Sequence, residues 1–210
     1  MRQTAIWMGL LLSAQYGAVA QTATTTIQRE REASATSQPE FIPMTQRERW
    51  QFYFKSTGDP LAVAASAAGA AITQWQDNPT EWGQGAKGYE RRLGNAYAQH
   101  IIRQTLIFGA SSALHEDNRY LPSGESSVGT RIKYAVGSTF LARRDDGTRR
   151  FAFSRMGASA GTAFISRLWQ PRSQNSTGDA LCSFGIAVGA QAGFNVAREF
   201  LPSIFHDFRR

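Results

Sequence analysis

Apolar positions recur at helical spacing over most of this chain, in runs separated by short polar breaks. Glu48-Arg49-Trp50-Gln51-Phe52-Tyr53-Phe54 predicts a first short helix. Asp59-Pro60 predicts the start of a second, with Asp as the N-cap and Pro at the first helical position. Leu61–Gln76 follows and ends at Asn78-Pro79, because proline cannot continue a helix. Its face of Ala62, Ala65, Ser66, Gly69 and Thr73 would let a neighbour approach the backbone. The longest candidate runs from Tyr89 to Leu114. There Leu93, Ala96/Tyr97, His100/Ile101 and Phe108 form the apolar row, with Arg91, Arg92, Gln99 and Arg103 between them. Val128–Arg143 places Ile132, Val136 and Phe140 on one face. Ser154 would cap a helix reaching Trp169, and Thr177 would open a last one that Pro202 breaks after Phe200. Phe151 and Phe153 alternate with arginines beyond the Asp145-Asp146-Gly147 turn, which predicts a short β-hairpin. The expected fold is mostly α: a Gly/Ala-rich helical bundle of about five to six helices, with one short hairpin near 139–153.

The ends of the chain read differently. Arg2, the apolar run Ala5–Leu12 and Ala18-Val19-Ala20 have the form of a cleavable signal peptide over residues 1–20. The run is far short of the ~20 apolar residues that span a bilayer. Residues 21–40 are rich in Thr, Gln, Ser, Ala, Arg and Glu and predict a disordered linker. That leaves 41–210 as a single helical domain. The expected location is the periplasm or outer envelope.

Charge sharpens this picture. Residues 131–210 hold twelve Lys/Arg and five Asp/Glu, a net +7, whereas residues 21–130 hold ten and eleven, a net −1. For an exported chain the available anions are lipid headgroups and envelope polymers rather than nucleic acid, which is not expected as a partner. Arg143, Arg144, Arg149 and Arg150, clustered around the predicted hairpin, are the candidate anion-binding residues. The alternative is a solvated basic face that serves solubility. Cys182 is the only cysteine, so no internal disulfide forms, and its apolar surroundings predict a buried, inert thiol.

Glycines also recur in register. Gly185, Gly189 and Gly193 fall four apart in the last helix, and Gly157 and Gly161 do so in the one before. Glycine costs roughly 1 kcal/mol against alanine inside a helix, so these rows predict close helix–helix packing, within the chain or in a homo-oligomer. Leu181–Ala197 is weakly apolar and falls short of a strong spanning segment. Three readings stay open: a soluble or surface-bound bundle, helices that enter a membrane, and an outer-membrane barrel, against which Leu61–Gln76 argues.

The densest polar cluster is His115-Glu116-Asp117-Asn118-Arg119-Tyr120. It lacks the second histidine of the zinc-protease pattern, and His100 lies ~22 Å away along a straight helix. Local structure is the first reading; a catalytic site of His115, Asp117 and Arg119 is the second. No nucleophile elbow, phosphate loop or CxxC occurs, and no cofactor or metal is expected. The His-x-Asp-x-Arg-Tyr element, the downstream Arg-Asp-Asp-Gly-Thr turn and the ending Glu199-Phe200-Leu201-Pro202 resemble a group of exported bacterial proteins of unknown function, over residues 83–202. Members often carry Pro where Asn118 stands. The resemblance implies export and a helical fold, and implies no activity. The expected function is therefore a non-enzymatic binding or structural role in the cell envelope, at an anionic membrane surface. The alternative is a hydrolase-like envelope enzyme using His115, Asp117 and Arg119.

Overall fold

The computed structural model describes residues 41–207, with side chains through Leu201. The signal-peptide and linker expectations, residues 1–20 and 21–40, lie outside the described residues. All elements below belong to one compact unit, Pro43–Arg210. Six α-helices occur among the described residues: α1 (Gln46–Thr57), α2 (Pro60–Trp75), α3 (Gly85–Leu114), α4 (Val128–Phe140), α5 (Phe153–Ile165) and α6 (Thr177–Asp207). Three short strands complete it: β1 (Glu116–Asp117), β2 (Leu141–Arg144) and β3 (Arg149–Phe151). They form an antiparallel sheet in the order β1-β2-β3, with Arg143 opposite Arg149 and Asp117 opposite Arg143.

Local sequence explains most boundaries. Thr45 and Glu48 close a capping box at the start of α1. The Asp59 side chain accepts from the Leu61 amide at 3.0 Å, and Pro60 opens α2. A second capping box, between Ser176 and Asp179, starts α6, so the cap is Ser176 rather than Thr177. Ala152, not Ser154, precedes α5. The orphan amides of Phe153 and Ser154 are instead taken by the Glu116 carboxylate on β1, at 3.2 and 3.0 Å. Helix α4 stops three residues before Arg143, because Leu141 turns extended and enters β2. Helix α6 continues through Pro202 to Asp207. Proline there has no amide donor to give the ladder, yet the helix runs through it.

Helix α3 is the axis of the fold, with α1, α2 and α5 against it, while α6 lies on α4 and α5. Trp50, Tyr53 and Phe108 hold α1 to α3 through rings 4.2 to 5.3 Å apart. Among the described residues, the buried apolar set is mostly alanine: Ala70, Ala135, Ala142, Ala152, Ala158, Ala163 and Ala180, with Met44, Ile107 and Met156. Buried polar residues outnumber them and include Arg49, Arg92, Glu116, Asp117, Thr139, Asn195 and Glu199.

Arg92, expected on the solvent side of α3, is 1% exposed. Its guanidinium donates to the carbonyls of Asn78, Gly83 and Pro79 and to Gln74 Oε1, at 2.5 to 3.0 Å. Burial is tolerated because these acceptors tie off the α2–α3 connection around it. Gly88 sits beneath the same knot: a Cβ there would lie 2.1 Å from the Gly83 carbonyl oxygen.

Three expectations about packing within the chain do not hold as made. Gly185, Gly189 and Gly193 are exposed, and a Cβ at any of them meets no atom within 4 Å among the described residues. Helix α6 packs instead through Ala180, Asn195 and Glu199, on average about a third of a turn round from the glycines. Asn195 is held there by donating to Thr139 Oγ1 at 3.1 Å. Gly157 is likewise open, and only Gly161 is in contact, with Leu106 Cδ1 3.2 Å from its Cβ position. Cys182 is exposed, because it shares the outward side of α6 with Leu181 and Ile186.

Candidate functional site

The His115–Tyr120 element builds structure. His115 ends α3 in the left-handed conformation, φ 54°, and its ring points outward, 72% exposed. Its Nδ1 lies 3.0 Å from Asp145 Oδ2. Asp145 also accepts from the buried Arg49 guanidinium at 2.9 Å, while Arg49 reaches the Glu116 and Ser111 carbonyls. One arginine from α1 thus fastens the end of α3, strand β1 and the hairpin turn together. Asp117 is buried and clasped by its near neighbour Arg119 through Nε and a terminal nitrogen, at 2.6 to 3.1 Å. Those bonds hold the Arg119 guanidinium above its ordinary pKa. His115 thus lies at the surface, whereas Asp117 is buried against Arg119. Asn118 bonds Ser154 at 3.1 Å, and Ser154 donates to Glu116 at 2.6 Å.

The chain ending noted in the sequence is structural too. The Glu199 carboxylate accepts from Tyr120, from the Ser123 amide and hydroxyl, and from Arg131 Nε, at 2.5 to 3.2 Å. The Arg131 guanidinium also stacks 4.2 Å over the Phe200 ring. Glu199 thereby pins the α3–α4 connection and the start of α4 to α6. Burial, then the neighbouring Glu199, pushes the Tyr120 phenol well up. Among the described residues, no group of three His, Cys, Asp or Glu side chains could hold a metal ion.

What distinguishes the exterior is its apolarity. Val128, Ile132, Val136 and Phe140 do share one face of α4, at four-residue spacing, but that face points outward. Ala135 and Thr139 fill the inner side. The stripe runs on into Leu141 of β2 and across the ribbon to Phe151 and Phe153, all exposed. The last two rings meet edge to face at 5.0 Å.

The four candidate arginines lie on the ribbon beside this patch, and the register puts Arg143 and Arg149 on the same face as Leu141 and Phe151. Arg149 and Arg150 are exposed on β3. Arg149 reaches the Tyr134 hydroxyl and lies 4.7 Å over its ring. Arg143 and Arg144 are half-buried on β2, and Arg144 donates to the Leu114 carbonyl. The pairing of β2 with β3 brings the four onto one ribbon; the outward pair is Arg149 and Arg150. Hydrogen bonds from Thr148 hold the Asp146 carboxyl at the turn below its ordinary pKa.

One helix among the described residues is long and apolar enough to cross a membrane, over Thr177–Leu201 with mean hydropathy 1.4, and little of it is buried. The sequence revealed the stripe of α4 but not its direction, since periodicity defines a face without saying what it meets. No known protein family, curated protein or solved structure matches the chain.

Proposed function

We propose that this protein is a non-enzymatic component of the cell envelope, held at an anionic membrane surface by the α4 stripe and the β2–β3 ribbon. The observation that supports it is the juxtaposition of Phe140, Leu141, Phe151 and Phe153, all exposed, with Arg149 and Arg150. Full burial of an Ile or Phe side chain is worth roughly 1.5–3 kcal/mol, and each arginine near an anionic surface adds ~1 kcal/mol. A surface of rings between guanidinium groups matches the acyl–headgroup boundary, where aromatic bodies sink and cationic tips stay at the phosphates. The same reading accounts for a core of alanines and bonded polar groups beneath an apolar exterior. The hydrolase-like alternative gains no support from the site, because His115 faces solvent and Asp117 is spent on Arg119.

Vesicle co-sedimentation tests this. At low salt, vesicles with phosphatidylglycerol should retain at least tenfold more protein than pure phosphatidylcholine. Replacing Arg149 and Arg150 by Gln should abolish that preference. Replacing Ile132 and Phe140 by Ser should lower binding to both. Equal or absent binding to the two vesicle types sinks the proposal. A soluble dimer that the Ile132/Phe140 variant dissolves would assign the face to a second copy of the chain instead.

A further inference from the structure

A cavity of about 290 Å³ lies among α1, α2, α3, α5 and α6, away from the α4 stripe and the ribbon. That volume sits at the lower edge of the roughly 300–1,000 Å³ typical of small-molecule sites. Its charge is one-sided. Arg103 reaches in from α3 and Arg198 from α6, and neither forms an ion pair with a carboxylate among the described residues. Among the described residues Arg103 makes one hydrogen bond, from its guanidinium to Gln191 Oε1 at 3.1 Å. The acid lining the cavity is Asp59, whose carboxylate is occupied as the cap of α2. Burial, and then the facing Arg198, depress the pKa of Arg103. A cation desolvated beside a second cation is costly unless an anion joins them.

The remaining walls define what kind of anion fits. Leu61, Ala163 and Phe194 give an apolar side. Thr162, 5% exposed, lines the cavity with a hydroxyl that has no hydrogen-bond partner among the described residues. Buried hydroxyls are ordinarily paired, so this one is available to a bound oxygen.

We infer that this cavity binds an anionic amphiphile, its carboxylate or phosphate head between Arg103 and Arg198 and a short apolar chain against Leu61 and Phe194. A free medium-chain fatty acid and a phospholipid headgroup both present that chemistry.

Isothermal titration of the purified chain, below the critical micelle concentration, separates the sources. Decanoate should bind at least tenfold more tightly than decanol and than inorganic phosphate. Tighter binding of dihexanoyl-phosphatidylglycerol than of decanoate assigns the phospholipid source, and the reverse assigns the free acid. Arg103→Gln should weaken binding at least tenfold. Arg198→Gln, on the exposed rim where the fold does not depend on it, should weaken binding about fivefold with an unchanged circular dichroism spectrum. Decanol binding as tightly as decanoate, phosphate binding as tightly as either amphiphile, or full affinity in Arg198→Gln would overturn the assignment.

Discussion

Arg92 and Arg103 stand eleven residues apart on one helix, the first fully buried and the second half-buried in the cavity wall. Around Arg92 every direction is answered: three backbone carbonyls, the Gln74 side chain and the nearby Asp77. Around Arg103 there is one amide oxygen, a second guanidinium and open space. The contrast separates two uses of the same side chain. A guanidinium whose donors are saturated by backbone is a fastening of the fold. One left under-coordinated in a cavity is poised for something else to complete it.

Removing each arginine in turn should break the symmetry between them most plainly. Arg92→Ala removes a donor from the carbonyls of Asn78, Gly83 and Pro79, of which Pro79 keeps the Trp82 amide, and from the Gln74 side chain. A loss on the order of 2–3 kcal/mol is expected, since an unpaired buried group costs ~1–3 kcal/mol and part-exposed ones less, and it should lower the urea midpoint clearly. Arg103→Ala should cost under about 1 kcal/mol, because it also removes a desolvated charge. Equal losses would mean that Arg103, too, is a fastening.

Glycine gives the same comparison at smaller scale. Gly88→Ala drives a methyl into the Gly83 carbonyl beneath Arg92, and overpacking of this kind costs about 1–3 kcal/mol. Gly189→Ala, on open surface, should stabilise by up to roughly 1 kcal/mol through helix propensity. Thermal melts of the two variants should move in opposite directions; a fall at Gly189 would restore the idea of a tight contact there.

The smallest effect concerns the cavity alone. Burial, partly opposed by the bond to the Ser56 carbonyl, lowers the pKa of His100. The unfolded chain therefore binds this proton more readily than the folded one. Stability is full above the unfolded value near 6.5 and declines as pH falls from there through the folded pKa. Arg103 and Asp59 face the ring. The Tm should drop slightly between neutral pH and pH 5, and the drop should shrink in His100→Gln.

Local punctuation made the helices legible. Asp59-Pro60, Asn78-Pro79 and Asp145-Asp146-Gly147 each carry their own stereochemistry, and each marks a boundary in the fold. Partners distant in the chain were not legible. Nothing around Arg92 announces that carbonyls nine to fourteen residues upstream will converge on it. Glu116 caps a helix that begins 37 residues later, a relation invisible until β1 joins the sheet. Direction was the other loss. The row on α4 defines a face without its destination, and the glycine row of α6, which predicts helix–helix contact, lies open on the surface. Here alanine fills the interior and the larger side chains face out.

That interior has a thermodynamic consequence. The heat capacity of unfolding rises with newly hydrated apolar area and falls with newly hydrated polar area. A core of alanines, Thr139, Asn195, Glu199 and the buried arginines releases little of the first and much of the second. The free energy of folding should therefore vary gently with temperature, as a shallow arch rather than a steep dome. A chain held together this way keeps its shape in the cold, where structures built on large aliphatic cores begin to loosen.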